Sequence, residues 1–275
     1  MAVAAADEAK TPSGLRRAIV IPSFGRRPWA ERCARTFAAY AEVCGATLHV
    51  EEKPPTKREF PFPDLPDKPG RKMKLAYACK AYLAWNAMER QGYDRVLVVD
   101  DTCVVRAGTP NIFDAVPFGS CGYTRTSDSH AEESFQTIRD FVAEAGLPSV
   151  PFDPRRYMNS GVMVYDRTMS AALHPDKICA AAPLLSAHFP NQTLMYYLLG
   201  SGEVAQHELP KAYNTMPALN LPAEERKALA DIVPHIQEGV FIYHLSAFYA
   251  HRRQLLRQLT DIFLDEWKRF GQAPA

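Results

Sequence analysis

The sequence predicts an α/β fold in which a mostly parallel β-sheet is flanked by helices. Two uninterrupted apolar runs, 18–21 and 96–99, are typical of parallel strands buried on both faces. Segments with apolar residues at helical spacing lie between such runs. Alternation of strands and helices indicates β-α-β units, and these units build parallel sheets.

The first β-α-β unit lies within the first fifty residues. The strand Ala18–Ile21 ends at Pro22, which has no N–H group to donate to a neighbouring strand. A helix is predicted over 29–43 and is followed by Gly45. The strand Thr47–Val50 completes the unit, so the first two strands are expected to be parallel.

The remaining elements are predicted from the same patterns. A helical pattern over 72–90 precedes the strongest strand signal, Arg95–Val99. Prolines recur between 53 and 70, so this segment is predicted to be a long surface loop, either draped over the domain or forming a flap beside a cleft. Later patterns predict a strand at 161–165, a helix at 192–199, a strand at 240–244 and an amphipathic helix from about 255 to 267.

Composition and charge narrow the function classes. The 275 residues include 32 Lys and Arg against 31 Asp and Glu, and the net charge of +1 provides no field that recruits nucleic acid. The sequence lacks a signal-peptide segment and any run near the ~20 apolar residues that span a membrane. We expect a cytoplasmic protein without a transmembrane segment, with a flexible tail at 1–14 and one domain at 15–275.

Two neighbouring carboxylates follow the strongest strand. Asp100 and Asp101 stand at its carboxyl end, where open α/β sheets bind ligands. Adjacent carboxylates repel each other unless a cation or a donor-rich ligand stabilises them, and Mg²⁺ is commonly held by one or two carboxylates together with substrate phosphates. The pair therefore predicts a site for a metal and a diphosphate. The alternative is that one aspartate caps a helix or organises a turn.

Other polar residues are expected to converge on the same crevice. Lys74 lies on the preceding helix, Asn159-Ser160-Gly161 opens a later strand, and His244 ends another. The segment Tyr123–His130 is polar and is predicted to be an irregular loop that faces the donor or the acceptor. Asp128 is the one carboxylate of this loop that we would test as a participant in catalysis.

Taken together, these motifs resemble the GT-A glycosyltransferases, a Rossmann-like fold, and most closely the glycogenin-like retaining family. The similarity extends from about residue 16 to 250 as spaced short motifs. In chain order they are Lys74, the segment 93–102, the segment 157–163, Asn191-Gln192 and Tyr243-His244. The resemblance implies a donor-binding half at about 15–105, an acceptor-side half at about 106–250 and a C-terminal helix at about 251–271.

The resemblance also implies a Mn²⁺ or Mg²⁺ site. The family's D-x-D motif is matched here by Asp100 and Thr102, so a hydroxyl replaces the second carboxylate unless Asp101 takes its place. The family's strand-terminal histidine is matched by His244, and the alternative is a histidine that is simply hydrogen-bonded at a strand end. The glycine and lysine that follow this histidine in the family are absent.

The donor site is assigned by the same resemblance. Ser23 lies where the family holds the base and ribose, and Pro22 shapes that turn. Arg26 and Arg27 follow closely and are either contacts for phosphate or exposed charges at a helix start. Lys74 corresponds to a cation that binds phosphate or sugar, and the Asn159-Ser160-Gly161 stretch faces the donor sugar. The family's aspartate-glutamine pair appears as Asn191-Gln192, and an amide binds a hydroxyl but cannot act as a carboxylate nucleophile.

The expected activity is transfer of a sugar from a nucleoside diphosphate sugar to the hydroxyl of a glycan or another acceptor. A UDP-sugar is favoured, a GDP-sugar is the second choice, and a hexosyltransferase that retains configuration is implied. Two alternatives remain. One is a non-catalytic relative that binds nucleotide sugars or glycans. The other is a sugar nucleotidyltransferase, although Pro22–Arg27 contains only one glycine where a Gly-rich phosphate loop is expected.

Overall fold

The computed structural model describes most of the chain. The described residues are 14–25, 27, 29–63, 71–126, 131–147, 149–151, 153–187, 189–216, 239–245 and 252–270, without the side chains of 71–75, 154 and 252–255. The predicted tail, apart from Gly14, lies outside them. Among the helices described, none is both long enough and apolar enough to cross a membrane.

A six-stranded sheet forms the centre of the protein, in the spatial order β2-β1-β3-β6-β5-β7, and a two-stranded sheet pairs β4 with β8. Only β6 runs antiparallel to its neighbours in the large sheet, so the mostly parallel α/β fold is confirmed. The strands are β1 Arg17–Pro22, β2 Ala46–Glu51, β3 Arg95–Val99, β4 Cys103–Val105, β5 Ser120–Arg125, β6 Met158–Asp166, β7 Ala205–Glu208 and β8 Ile242–His244.

Helices cover both faces of the large sheet. Along β1, Ala18 and Val20 face one apolar core, while Ile19 and Ile21 face the other. This two-sided burial explains why the run contains no polar residue. The helices are α1 Ala30–Cys44, α2 Arg71–Glu89, α3 Ala131–Ala145, α4 Pro175–Ala180, α5 Pro190–Ser201 and α6 Arg252–Phe270.

Two sequence-based predictions need correction or refinement. The irregular loop predicted for Tyr123–His130 is wrong at its start, because Tyr123, Thr124 and Arg125 belong to β5 and pair with β6. Residues 127–130 of that segment lie outside the described part. The strand predicted at 240–244 begins at Ile242 and pairs with β4 rather than with the main sheet.

The proline-rich loop is anchored to α2. Its described part, 52–63, forms no helix or strand, as predicted. Phe60 and Phe62 are nevertheless buried, and the Phe60 ring stacks on Tyr82 with centroids 4.6 Å apart. Burial of two aromatic rings fixes this half of the loop against the domain.

A fully buried arginine at the start of β3 ties the sheet to the loop that follows β4. The Arg95 guanidinium donates to the carbonyl oxygens of Phe113 and Val116, the latter at 2.8 Å.

We expect Arg95→Met to lower the free energy of unfolding by about 3 kcal/mol, because two buried carbonyls lose their donors. Denaturant unfolding measures this loss, and exposed Arg35→Met serves as the control, with a change within about 0.5 kcal/mol. Equal stabilities of the two variants would contradict this structural role.

Candidate functional site

Asp100 stands at the carboxyl end of β3 between a lysine and a histidine. Its backbone N–H donates to the Gly161 carbonyl oxygen over 2.9 Å, which fixes the residue against β6. One carboxylate oxygen, Oδ1, contacts the Lys80 ammonium, and the other, Oδ2, lies 3.3 Å from His244 Nε2. The side chain of Asp100 remains 24% exposed, so the group is open to a ligand.

Lys80 brings a positive charge to this point from α2. Its Nζ atom also donates to the Ser160 carbonyl oxygen at 3.2 Å, and its side chain is only 12% exposed. Burial is the largest single influence and raises the pKa of Asp100, but the neighbouring Lys80 ammonium and His244 together lower it by more. The net result is a pKa of Asp100 well below its ordinary range, and the carboxylate stays ionised.

The His244 ring packs directly on Gly161. A Cβ atom at position 161 would lie 2.1 Å from His244 Cε1, a distance at which atoms overlap. Glycine is therefore required here for close approach of the ring and not for a special backbone angle. In β8, the pairing of His244 with Cys103 holds the ring at the end of the small sheet, beside the end of β3.

An amide network supports the histidine from behind. Asn159 Oδ1 accepts from the Gly161 N–H at 2.8 Å and from Asn214 Nδ2 at 2.9 Å. Asn214 Oδ1 lies 3.0 Å from His244 Nδ1, and Asn159 Nδ2 donates to Gln192 Oε1 at 3.2 Å. The network joins β6, α5 and the 3-10 turn Lys211–Asn214 around one point.

Asp101 belongs to a second, adjoining cluster. Its buried carboxylate accepts from Ser23 Oγ at 3.2 Å and pairs with Arg27 Nη1 at 3.0 Å. Burial raises the pKa of Asp101, and the charge of Asp100 adds to the rise while Arg27 opposes it. The two neighbouring aspartates thus have different partners, and Asp101 as a metal ligand stays a prediction.

The structure brings together most of the predicted site residues it describes. Asp100, Asn159, Ser160, Gly161, Gln192 and His244 meet around the Asp100 carboxylate, and Ser23 and Asp101 adjoin them, with Pro22 preceding Ser23 as the last residue of β1. Asn191 Nδ2 donates to the Tyr77 carbonyl oxygen at 3.2 Å, outside this network. Thr102 is buried, and its carbonyl oxygen accepts from the Leu245 N–H.

Three predicted residues lie outside what is described, namely Arg26, Asp128 and the side chain of Lys74. Two residues that were not predicted, Lys80 and Asn214, also take part, and the predicted Arg27 pairs with Asp101. The signal for Lys80 was available, because it is the only charged residue between positions 75 and 88, a stretch of α2 whose described side chains are buried or half-buried. A lysine at such a position needs a partner.

The donor set suits a divalent cation that also takes ligands from a substrate. His244 Nε2 is buried and makes no hydrogen bond of acceptable geometry, although Asp100 Oδ2 lies 3.3 Å away. Two ligand atoms in adjacent positions around one metal ion are about 3 Å apart at ordinary bond lengths, close to the distance between Nε2 and Oδ2 here. Among the described residues, no three His, Cys, Asp or Glu side chains form a complete metal cluster. Two protein ligands plus phosphate oxygens match the usual coordination of Mg²⁺.

Comparisons with known proteins agree with this fold. No protein-family model matches the sequence, and no curated protein matches it. A glycosyltransferase involved in the glycosylation of the major capsid of PBCV-1 superposes with a TM-score of 0.51 at 14% identity, over 87% of this chain and 98% of that one. The bifunctional glycosyltransferase WbbM superposes with a TM-score of 0.51 at 12% identity, over 94% of this chain and 52% of its own. At these identities the likeness concerns the fold alone, and the chain has a glycosyltransferase fold.

Proposed function

We propose that the protein is a glycosyltransferase that binds a nucleoside diphosphate sugar at Asp100 and transfers its sugar to an acceptor hydroxyl. The observation that carries the proposal is the placement of an ionised Asp100 between Lys80 and His244, at the carboxyl end of a parallel strand. Open α/β sheets bind nucleotides at this edge. A UDP-sugar is the favoured donor and a GDP-sugar the second, with a glycan or another hydroxyl compound as acceptor and no role for nucleic acid.

A divalent cation, Mn²⁺ or Mg²⁺, would be held by Asp100 Oδ2 and His244 Nε2. When bound, it supplies positive charge to the diphosphate as that group leaves. We assign no metal-ligand role to Asp101, because its carboxylate already binds Ser23 and Arg27. We assign none to Thr102 either. The metal site therefore depends on a bound donor to complete its coordination.

Lys80 supplies the protein's own charge at the centre. Its ammonium contacts Asp100 and the Ser160 carbonyl, so it is held in place without a phosphate. A fixed cation aimed at the site of developing negative charge stabilises the transition state without reorganisation. In this proposal Lys80 orients the diphosphate and stabilises it as the bond to the anomeric carbon breaks.

Amide groups form the proposed sugar subsite. The buried Gln192 Nε2 has no hydrogen-bond acceptor among the described residues, while Oε1 of the same amide accepts from Asn159 Nδ2. A buried amide hydrogen without an acceptor is costly, and a sugar hydroxyl would satisfy it. The neighbouring Ser23, Asp101 and Arg27 are proposed to face the nucleoside, which places base and sugar on opposite sides of Asp100.

The reaction class follows from these groups. None of the described side chains in the amide network is a carboxylate, so no nucleophile is assigned, and retention would arise by attack of the acceptor on the face the diphosphate leaves. The absence of a carboxylate at Asn191 favours one alternative, a nucleotide-sugar-binding protein without turnover. The two functions differ in whether nucleoside diphosphate is released.

The test is a panel of UDP- and GDP-sugars with Mn²⁺, Mg²⁺ or EDTA. Thermal shift reports binding, and nucleoside diphosphate release with varied acceptors reports turnover. Stabilisation by one donor together with release supports the transferase. Stabilisation without release under any condition supports the binding protein, and no response to any donor contradicts both.

Lys80→Met tests the proposed role of the lysine in stabilising the leaving diphosphate. We expect nucleoside diphosphate release to fall roughly 10²-fold, because one preorganised cation is lost from the leaving group. Steady-state kinetics with the best donor of the panel measures the change. The matched control is Lys177→Met, at an exposed position of α4, which is expected to keep wild-type rates. A Lys80 variant with undiminished turnover would remove the lysine from the proposed mechanism.

A further inference from the structure

We infer that Asn214 is a positioning residue that holds His244 in the tautomer protonated on Nδ1, so that Nε2 presents a lone pair beside Asp100. The functional consequence of this tautomer rests on the proposed function, because the Nε2 lone pair would bind the proposed cation or contact the nucleotide-sugar donor. No sequence motif indicated Asn214, and its role follows from the hydrogen bonds around it.

The orientation of both amides is fixed by one backbone group. The Gly161 N–H can only donate, so the atom of Asn159 that it contacts at 2.8 Å is an oxygen. That oxygen also lies 2.9 Å from Asn214, and two oxygens would repel there. The Asn214 atom at this contact is therefore its NH₂ group.

The remaining atom of Asn214 then sets the tautomer. Its NH₂ group uses both hydrogens, one on Asn159 Oδ1 and one on Thr124 Oγ1 at 2.8 Å. The Asn214 oxygen is left facing His244 Nδ1 at 3.0 Å, and an amide oxygen only accepts. Nδ1 must therefore carry a proton, and in the neutral ring Nε2 is then the bare nitrogen, which faces Asp100 Oδ2 at 3.3 Å.

Backbone hydrogen bonds hold the two residues in this register. Three backbone hydrogen bonds of 2.9 Å join the 3-10 turn that ends at Asn214, with Thr215 after it, to the strand of His244, with Phe241 before it. They run from Phe241 N to Ala212 O, from Thr215 N to Ile242 O and from His244 N to Thr215 O. The pair therefore cannot separate without breaking the connection between turn and strand. Histidine ligands typically have their second nitrogen fixed by such an outer partner, and its loss costs 10–100-fold in affinity or activity.

The test is the tautomer of His244 in the metal-free full-length protein. Two-bond ¹⁵N–¹H spectra of ¹⁵N-histidine-labelled protein distinguish a protonated ring nitrogen from a bare one, and His244→Gln assigns the signals among the eight histidines. The spectra are recorded near pH 8.5, about two units above the ordinary histidine pKa of ~6.5. We expect Nδ1 protonated and Nε2 bare in the wild type.

Three variants separate positioning from mere packing. Asn214→Leu removes the acceptor and is expected to shift the ring toward the tautomer protonated on Nε2. Asn214→Asp keeps an acceptor for Nδ1 and is expected to keep the proton on Nδ1, with a loss of stability because its second oxygen faces Asn159 Oδ1. Thr124→Val removes a different hydrogen bond of the same amide and is expected to leave the tautomer unchanged.

Binding of Mn²⁺ with UDP provides the second readout. We expect roughly 10–100-fold weaker binding in Asn214→Leu and no comparable loss in Thr124→Val. A wild-type His244 protonated on Nε2 overturns the inference even if Asn214→Leu fails to fold, and so does an unchanged tautomer in that variant. The predicted tautomer without any binding of UDP would refute the proposed function while supporting the role of Asn214.

Discussion

Asp100→Asn is expected to lower nucleoside diphosphate release by roughly 10²–10³-fold, the largest effect of any single change in the site. The substitution keeps the shape of the side chain but removes the charge that faces both Lys80 and His244. Lys80 then loses its buried counter-ion, and the proposed cation loses its only carboxylate. Steady-state kinetics and Mn²⁺ titration measure the two losses separately.

The pH dependence of the wild-type rate tests whether Asp100 stays ionised. Because the pKa of Asp100 lies below the ordinary aspartate value of about 3.9, its titration should produce no change in the wild-type rate between pH 5 and 8.

The control for Asp100→Asn is Asp114→Asn, which changes an exposed carboxylate paired with Arg17 away from the site. Near-wild-type release by the Asp100 variant would show that the chemistry lies elsewhere.

Gly161→Ala is the second change with a large expected effect. The added methyl group would lie 2.1 Å from the His244 ring and 2.9 Å from Asn159 Oδ1, so the ring has to move. We expect a loss of about 1–3 kcal/mol of stability from overpacking and roughly a 10–100-fold loss of Mn²⁺ affinity from displacement of the histidine. Thermal unfolding and metal titration measure these effects.

The control for this change is another glycine in the same protein. At Gly200 in α5, an added Cβ atom meets Val150 at 3.3 Å, a contact that small shifts relieve. Gly200→Ala is therefore expected to preserve Mn²⁺ affinity. If Gly161→Ala bound metal as well as Gly200→Ala, the close packing of His244 would have no functional role.

Fold class was predictable because the strands of this protein are buried on both faces. The runs at 18–21 and 96–99 read directly as parallel strands, and both are confirmed. The reversed direction of β6 was not predictable, since a strand buried along its whole length has the same composition in either direction. β5 was missed because its sequence, SCGYTR, lacks an apolar run.

The location of the site in the fold could be predicted from the sequence better than the set of residues that form it. Asp100 directly follows β3 and His244 ends β8, so local pattern and location agree for these two residues, while Gly161 lies within β6. Lys80 was missed although it is the only charged residue between positions 75 and 88, because the partner that a helix lysine meets depends on how the helix packs on the sheet. Asn214 carries no local signal, since its role comes from partners 30 to 90 residues away in the chain.

The different environments of the two aspartates also required the structure. In sequence they form one acidic pair, but Asp101 turns toward Ser23 and Arg27 while Asp100 faces Lys80 and His244. Neighbouring side chains at the end of a strand point in different directions. The pair therefore serves two adjoining subsites and not one.

The most direct test of the account is a crystal structure of the protein with UDP and Mn²⁺. We expect an anomalous manganese signal between the Asp100 carboxylate and His244 Nε2, with the diphosphate beside Lys80 and the nucleoside toward Ser23 and Arg27. A nucleotide bound away from the carboxyl end of β3, with Asp100 still paired only to Lys80, would contradict the assignment of Asp100 as the centre of the donor site.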